Sequence, residues 1–207
     1  MVEGPSCKRK AERLQALCGQ RLLAARGLAA LQRCLGEAVL RVFAIGKELF
    51  VVFAPCVLRL HFGMSGGAEL CRAGAAHRPT RKPVTLVCEL SCGSLRVQGA
   101  TAKAVEHGYV AAAEARRPRD ILNPAFDRPG ALALLKAGGA RLACDIVMDQ
   151  HVLPGVGNVI KVEGLFAAGV HPLAPAAALA DAQWTALLGG LRECAQRWYA
   201  GLRGRGR

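Results

Sequence analysis

Residues 148–172 read MDQHVLPGVGNVIKVEGLFAAGVHP, a pattern of helix, glycine-rich turn and helix. Gly155 and Gly157 let the backbone take positive φ and come close to a ligand. Asn158 stands where a helix N-cap is expected, ahead of the apolar positions Ile160, Val162, Leu165 and Phe166. Gly169 and Pro172 end that helix. A glycine turn opening onto a helix N-terminus offers free backbone N–H groups at the positive end of a dipole, and such a site favours a phosphate. No GK[ST] follows the glycines, which disfavours a nucleotide enzyme of the phosphate-loop kind.

Outward from this stretch the second half is helical throughout. Helices are expected over residues 127–137, 142–150, 158–168 and 181–200. The last carries a stripe of Trp184, Leu187, Leu188, Leu191, Cys194, Ala195 and Trp198 at helical spacing. The first half is β-rich with one leading helix, residues 5–18, on which Cys7, Ala11, Leu14 and Cys18 share a face. Strands are expected over 38–44 and 48–54 about a short turn at Ile45-Gly46-Lys47, then over 57–62. A further hairpin is expected from 85–90 and 94–98. Residues 71–83 read as loop, and 100–120 give no clear pattern beyond a linker at Arg116–Arg119 with Pro118. The expected class is therefore α+β, with a domain at 1–118 and a helical domain at 119–207.

The chain has 207 residues, 52% of them hydrophobic, enough for one or two domains with real cores. Aromatic residues make up only 5%, which argues against a surface built on base stacking. Lys and Arg number 28 against 15 acids, a formal charge of +13. That excess coincides with the phosphate-shaped turn and points to nucleic acid. The nine cysteines have scattered spacings and no CxxC pair, so free thiols in a reducing compartment are expected, with no metal site. No secretory signal or membrane-length apolar run is visible, and an intracellular protein without a membrane partner is expected. Residues 201–207 (GLRGRGR) are basic and expected to be disordered; their lack of a capping element suggests a fragmentary chain.

Three separated motifs, in order, resemble the formamidopyrimidine-DNA glycosylase/endonuclease VIII family. They are Met1-Val2-Glu3-Gly4-Pro5, HFGM (His61 to Met64) and DQHVLPGVGN (Asp149 to Asn158). Val2, where most of the family has proline, and GKELF (Gly46 to Phe50) point to the endonuclease VIII-like 3 branch. The resemblance implies a two-layer β-sandwich with a leading helix, joined to a helix-two-turn-helix domain. It implies base-excision repair in the nucleus: excision of oxidised bases from DNA by a monomer, with an associated β-elimination at the abasic site.

The nucleophile implied is the α-amine of Val2 after removal of Met1. An α-amine has a pKa near 7.7–8.0, so roughly a fifth to a third is neutral near pH 7.4, whereas a lysine near 10.4 would need a large shift. The resemblance assigns Glu3 to proton transfer around the sugar and the leaving base, Lys47 to the lesion phosphate, and Met64 to the gap left by an extruded nucleotide. Gly155, Gly157 and Asn158 are assigned to the DNA backbone. The ordinary readings are a helix-start acid, a solvent-exposed hairpin lysine, a core methionine and a plain N-cap. Two further wedge residues of the family have no counterpart in residues 100–120. With one wedge, single-stranded or open DNA is expected to be preferred. No cofactor is expected in this chain; zinc is expected only in the family's C-terminal finger, which Arg203, Arg205 and Arg207 do not match. The competing expectation is a non-catalytic helix-two-turn-helix module that binds nucleic acid.

Overall fold

The computed structural model describes residues 2–204. The chain divides into two compact units, one holding Val2 and Cys7–Ala113, the other Glu3–Ser6 and the chain from Glu114 onward. The sequence boundary expected at 118/119 falls inside a 3-10 turn, Arg117–Arg119, of the second unit.

Helix α1 (Gly4–Arg13), which belongs to the first unit from Cys7 on, passes into a 3-10 turn, Leu14–Leu17, and stops at Gly19, whose φ is 82°. The expected helix over 5–18 is thus shorter, and its last face position changes. Three residues per turn carry Leu14 and Leu17 inward and leave Cys18 exposed. Eight strands follow: β1 (Leu22–Arg26), β2 (Arg41–Ile45), β3 (Glu48–Val52), β4 (Val57–His61), β5 (Gly67–Arg72), β6 (Val84–Leu90), β7 (Gly93–Gln98) and β8 (Thr101–Val105). They form two antiparallel sheets, in the orders β1-β6-β7-β5 and β2-β3-β4-β8. Leu86, Cys88, Leu95 and Val97 from the first sheet share one core with Val42, Leu49, Val51, Leu58 and Leu60 from the second. Cys7, Ala11, Leu14 and Leu17 complete it, so this unit is a two-layer sandwich with a leading helix.

Three of these strands, β1, β5 and β8, lacked a sequence signal; for β1 and β5 the reason is local. In β1 the register shifts between Leu22 and Ala24, so burial does not alternate. In β5, an edge strand, nearly every residue is half-buried, and it runs into the stretch expected to be loop. In contrast β3 is apolar on both faces. Leu49 and Val51 enter the sandwich core, while Phe50 and Val52 meet Val110 and Ala113 of helix α2 (His107–Glu114).

The second unit contains α3 (Arg128–Lys136), α4 (Ala143–Ile146), α5 (Asn158–Ala167) and α6 (Asp181–Gly204). Asp127 caps α3 by accepting the Gly130 N–H at 2.9 Å. The helix expected over 142–150 breaks off after Ile146. Asp149 takes over: its side chain accepts the His151 N–H and its carbonyl accepts those of Val152 and Leu153. Two turns then lead into α5. The α6 stripe is buried at Trp184, Leu187, Leu188, Leu191 and Ala195. Gly164 of α5 lies against Leu191 so closely that a Cβ there would meet the leucine Cγ at 2.7 Å. Residues 201–204 continue α6, which corrects the expected disorder; Arg205 and Arg207 lie outside the described residues. Among the described residues no helix is long and apolar enough to cross a membrane.

Candidate active site

Among the described residues Glu3 is the one charged residue whose side chain is fully buried. Burying a carboxylate is costly unless donors replace its water, and here they come from the start of α5. Its Oε2 accepts the N–H of Gly157 (3.1 Å) and of Ile160 (3.2 Å), and its Oε1 accepts that of Val159 (2.8 Å). A negative charge at a helix N-terminus is also favoured by the dipole. The sequence therefore placed an anion site correctly but not its occupant. The N–H groups expected to be free for a phosphate are held by the chain's own carboxylate.

The glycines of the turn have different tasks. Gly155 has φ of 100°, a left-handed conformation that glycine accommodates. Its carbonyl accepts the Gly4 N–H at 2.9 Å, and a Cβ on Gly4 would come within 2.9 Å of the Gly155 Cα. Gly157 has an ordinary φ of −122°, contrary to expectation; it is glycine for space, because a Cβ there would overlap the Glu3 carboxyl group. Gly157, not Asn158, is the N-cap of α5, and it offers no capping side chain. Asn158 is the first helical residue and its side chain is exposed. Of the expected apolar set, Ile160 and Leu165 are buried, whereas Val162 and Phe166 face outward, Phe166 at 86% exposure.

Gln150, the second residue of the DQHVLPGVGN motif, braces this turn, a role that the sequence did not assign. Its amide donates to the carbonyls of Met148 (2.7 Å) and Val156 (3.0 Å) and accepts the Gly155 N–H (3.0 Å). Burial opposes the charge on Asp149, but the His151 N–H and the Arg141 guanidinium hold its carboxyl below the usual range.

In the first unit Val2 is half-buried against the sandwich core. Lys47 follows Gly46 (φ 57°) in the turn joining β2 to β3 and is partly buried. Met64 is 66% exposed in the turn after β4, so the ordinary core reading of this methionine is overturned. Two cations missed by the sequence brace that turn. The Lys10 ammonium lies 5.2 Å from the centre of the Phe62 ring, and Lys82 donates to the Ser65 carbonyl. Burial lowers the Lys10 pKa; Cys7 opposes the shift, and Arg13 and Lys82 add to it. The link between β7 and β8 is Gly99-Ala100, with neither an arginine nor an aromatic side chain.

No family profile matches the chain. Among curated proteins it is 32% identical over 225 residues to Endonuclease 8-like 3 of Mus musculus, covering 88% of this chain and 36% of that protein. Its fold matches a crystal structure of a viral DNA glycosylase with a TM-score of 0.87 at 16% identity, covering 100% of this chain and 85% of the other. It also matches Lactococcus lactis formamidopyrimidine-DNA glycosylase, crystallised non-covalently bound to DNA containing an AP site, with a TM-score of 0.79 at 18% identity. That match covers 96% of this chain and 82% of the other. The chain spans 24–38% of the length of its endonuclease 8-like 3 relatives. The architecture is thus that of the DNA glycosylases with a β-sandwich and a helix-two-turn-helix unit. The chain belongs to the formamidopyrimidine-DNA glycosylase/endonuclease VIII family, in its endonuclease 8-like 3 branch.

Proposed function

We propose that the chain is a base-excision-repair DNA glycosylase that uses the α-amine of Val2, freed by removal of Met1, as its nucleophile. The observation that carries this reading is the burial of Glu3 on the N-terminus of α5. That arrangement joins the opening VEGP to the distant PGVGN turn and fixes the backbone adjacent to Val2.

The amine attacks C1′ of the damaged nucleotide, the bond to the base breaks, and a Schiff base forms. Loss of a C2′ proton then expels the 3′ phosphate by β-elimination. Val2 supplies a primary amine, for which a weaker lyase step than with proline is expected. Glu3 serves proton transfer at the sugar and the departing base. Of about four lone-pair positions on its carboxylate, the three backbone donors occupy three. The position left on Oε1 is the one available to a substrate proton. Lys47 stabilises charge at the lesion phosphate. Because Gly157, Val159 and Ile160 spend their N–H groups on Glu3, the phosphate contact at this turn falls to Asn158, through its exposed amide and its own N–H. Gly155 and Gly157 shape that contact rather than make it.

Met64 is the wedge for an extruded base, and its 66% exposure supports that role. With a two-residue link at 99–100 and no second wedge placed, single-stranded or open DNA is the preferred substrate, since flipping costs least there. The reading includes a nuclear, monomeric enzyme whose steps in this chain use its own amine, carboxylate and ammonium.

Borohydride trapping on single- and double-stranded oligonucleotides with an abasic site tests the proposal, with Val2 free or N-acetylated. A covalent adduct with free Val2, absent after acetylation and stronger on the single strand, is expected. DNA binding without any adduct from the free amine would replace the enzyme with a non-catalytic nucleic-acid-binding module.

A further inference from the structure

The sequence showed no metal pattern, yet the fold gathers three ligand-type side chains that are not among the residues assigned to chemistry. Glu69 and Cys71 are two residues apart on β5 and so project from the same face. Their partners across the ladder are Arg96 and Ser94 of β7. This is the face opposite the core, into which Leu95 and Val97 point. His77, from the irregular segment 73–83, lies over it.

The His77 Nδ1 is 3.2 Å from the Cys71 Sγ and 3.2 Å from the Glu69 Oε2, and the three donor atoms all lie within 4.8 Å of one another. A tetrahedral zinc ion with bonds of about 2.0–2.3 Å separates N, O and S ligands by about 3.4–3.6 Å. The two distances from the His77 Nδ1 are close to that. The side chains that would orient these ligands are also in place. The His77 Nε2 is held by the Ser94 Oγ at 2.7 Å, which directs Nδ1 at the other two groups. Arg96 donates to Glu69 at 2.7 Å, as outer-shell partners of ligating carboxylates do. Cys71 and His77 are only partly exposed, so a bound ion would be sheltered while a fourth position stays open to water.

We propose that Glu69, Cys71 and His77 bind one zinc ion, with water as the fourth ligand, and that the ion fastens segment 73–83 to the outer face of the sandwich. The bland alternative is an imidazolium–carboxylate pair with a neighbouring thiol. The two differ in what the thiol does, since a zinc-type site binds it as thiolate.

Cobalt(II), a spectroscopic stand-in for zinc, tests this on the full chain after removal of metal by a chelator. One ion per chain and a thiolate-to-cobalt absorption band are expected, with the band displaced by zinc. Cys71→Ser should abolish the band, and Ser94→Ala, which leaves all three ligands in place, should weaken affinity roughly 10–100-fold. Cys144→Ser, a partly exposed thiol outside the cluster, should keep the band and the affinity. Absence of a thiolate band in the unaltered chain, or its survival in both Cys71→Ser and His77→Gln, overturns the site and leaves the ion pair. Thermal melts of the metal-free variants show whether each still folds, and Ser94→Ala decides the matter if Cys71→Ser does not.

Discussion

Glu3 reaches the N-terminus of α5 with three hydrogen bonds and is fully buried, so its replacement is felt twice. Glu3→Gln keeps the shape but removes the charge and sets an NH₂ group against N–H donors. A loss of about 2 kcal/mol is expected from the forfeited charge-assisted bonds, measured by urea denaturation. Gly157→Ala leaves every reacting group intact yet forces a Cβ into the Glu3 carboxyl. About 1–3 kcal/mol of destabilisation is expected. The borohydride adduct of Val2 should fall in parallel, and an unchanged adduct yield would detach the turn from the chemistry. The buried thiols give a pH signature. Burial pushes Cys34 and Cys88 up to about 12 from an ordinary value of 9.0; Cys56 beside Cys34 and Glu89 beside Cys88 add to the effect. A raised pKa means that the folded state keeps a proton the unfolded state releases. Their contribution is complete below pH 9 and is lost as pH rises from there through about 12. Urea midpoints should therefore hold up to about pH 9 and drop above it, toward about 12. At pH 8 a mild alkylating reagent followed by mass spectrometry should modify exposed Cys18 well before either buried thiol.

At the scale of elements, the crossing of α5 on α6 depends on the absence of a side chain at Gly164, where Leu191 occupies the space. Gly164→Leu separates the two helices at their contact and should cost about 1–3 kcal/mol or more, visible as a lower melting temperature. The cap of α3 is a gentler probe. Asp127→Ala removes the acceptor of the Gly130 N–H and should cost about 1 kcal/mol. Elements with regular periodicity were legible before the structure: α6, α5, the 85–98 hairpin and the hairpin around Gly46 lie where the pattern placed them, within a few residues. Those that were missed carry no period. In β1 a register shift breaks the alternation, and β5 is half-buried along its length. The helix expected over 142–150 was cut short by Asp149, whose side chain and carbonyl compete for N–H groups of the following turn.

For the whole molecule, charge is the property with the widest reach. An excess of 28 basic over 15 acidic residues predicts DNA affinity that falls linearly in log–log terms with salt. On a single strand the slope should be about −0.7 per phosphate neutralised. Fluorescence anisotropy with a labelled oligonucleotide between low and moderate salt measures it. Asn158→Ala should make that slope shallower by about one contact, with little change in the melting temperature. A salt-independent affinity would remove the phosphate-based reading of the turn.

The sequence by itself determined the order of the regularly periodic elements, the division into a β-rich part and a helical part, and the family, because periodicity, turn glycines and short motifs are local properties of the chain. The motif residues Val2, Glu3, Lys47, Met64 and Asn158 were likewise legible as types and spacings. Only the tertiary structure decided what the turn at Gly157 holds, since the carboxylate that fills it comes from a residue 154 positions away. The same is true of Gln150 as the brace of that turn, of Lys10 and Lys82 at the HFGM turn, and of the meeting of Glu69 and Cys71 with His77. Each depends on distances between side chains that chain pairing and packing set, and no periodic pattern records such distances.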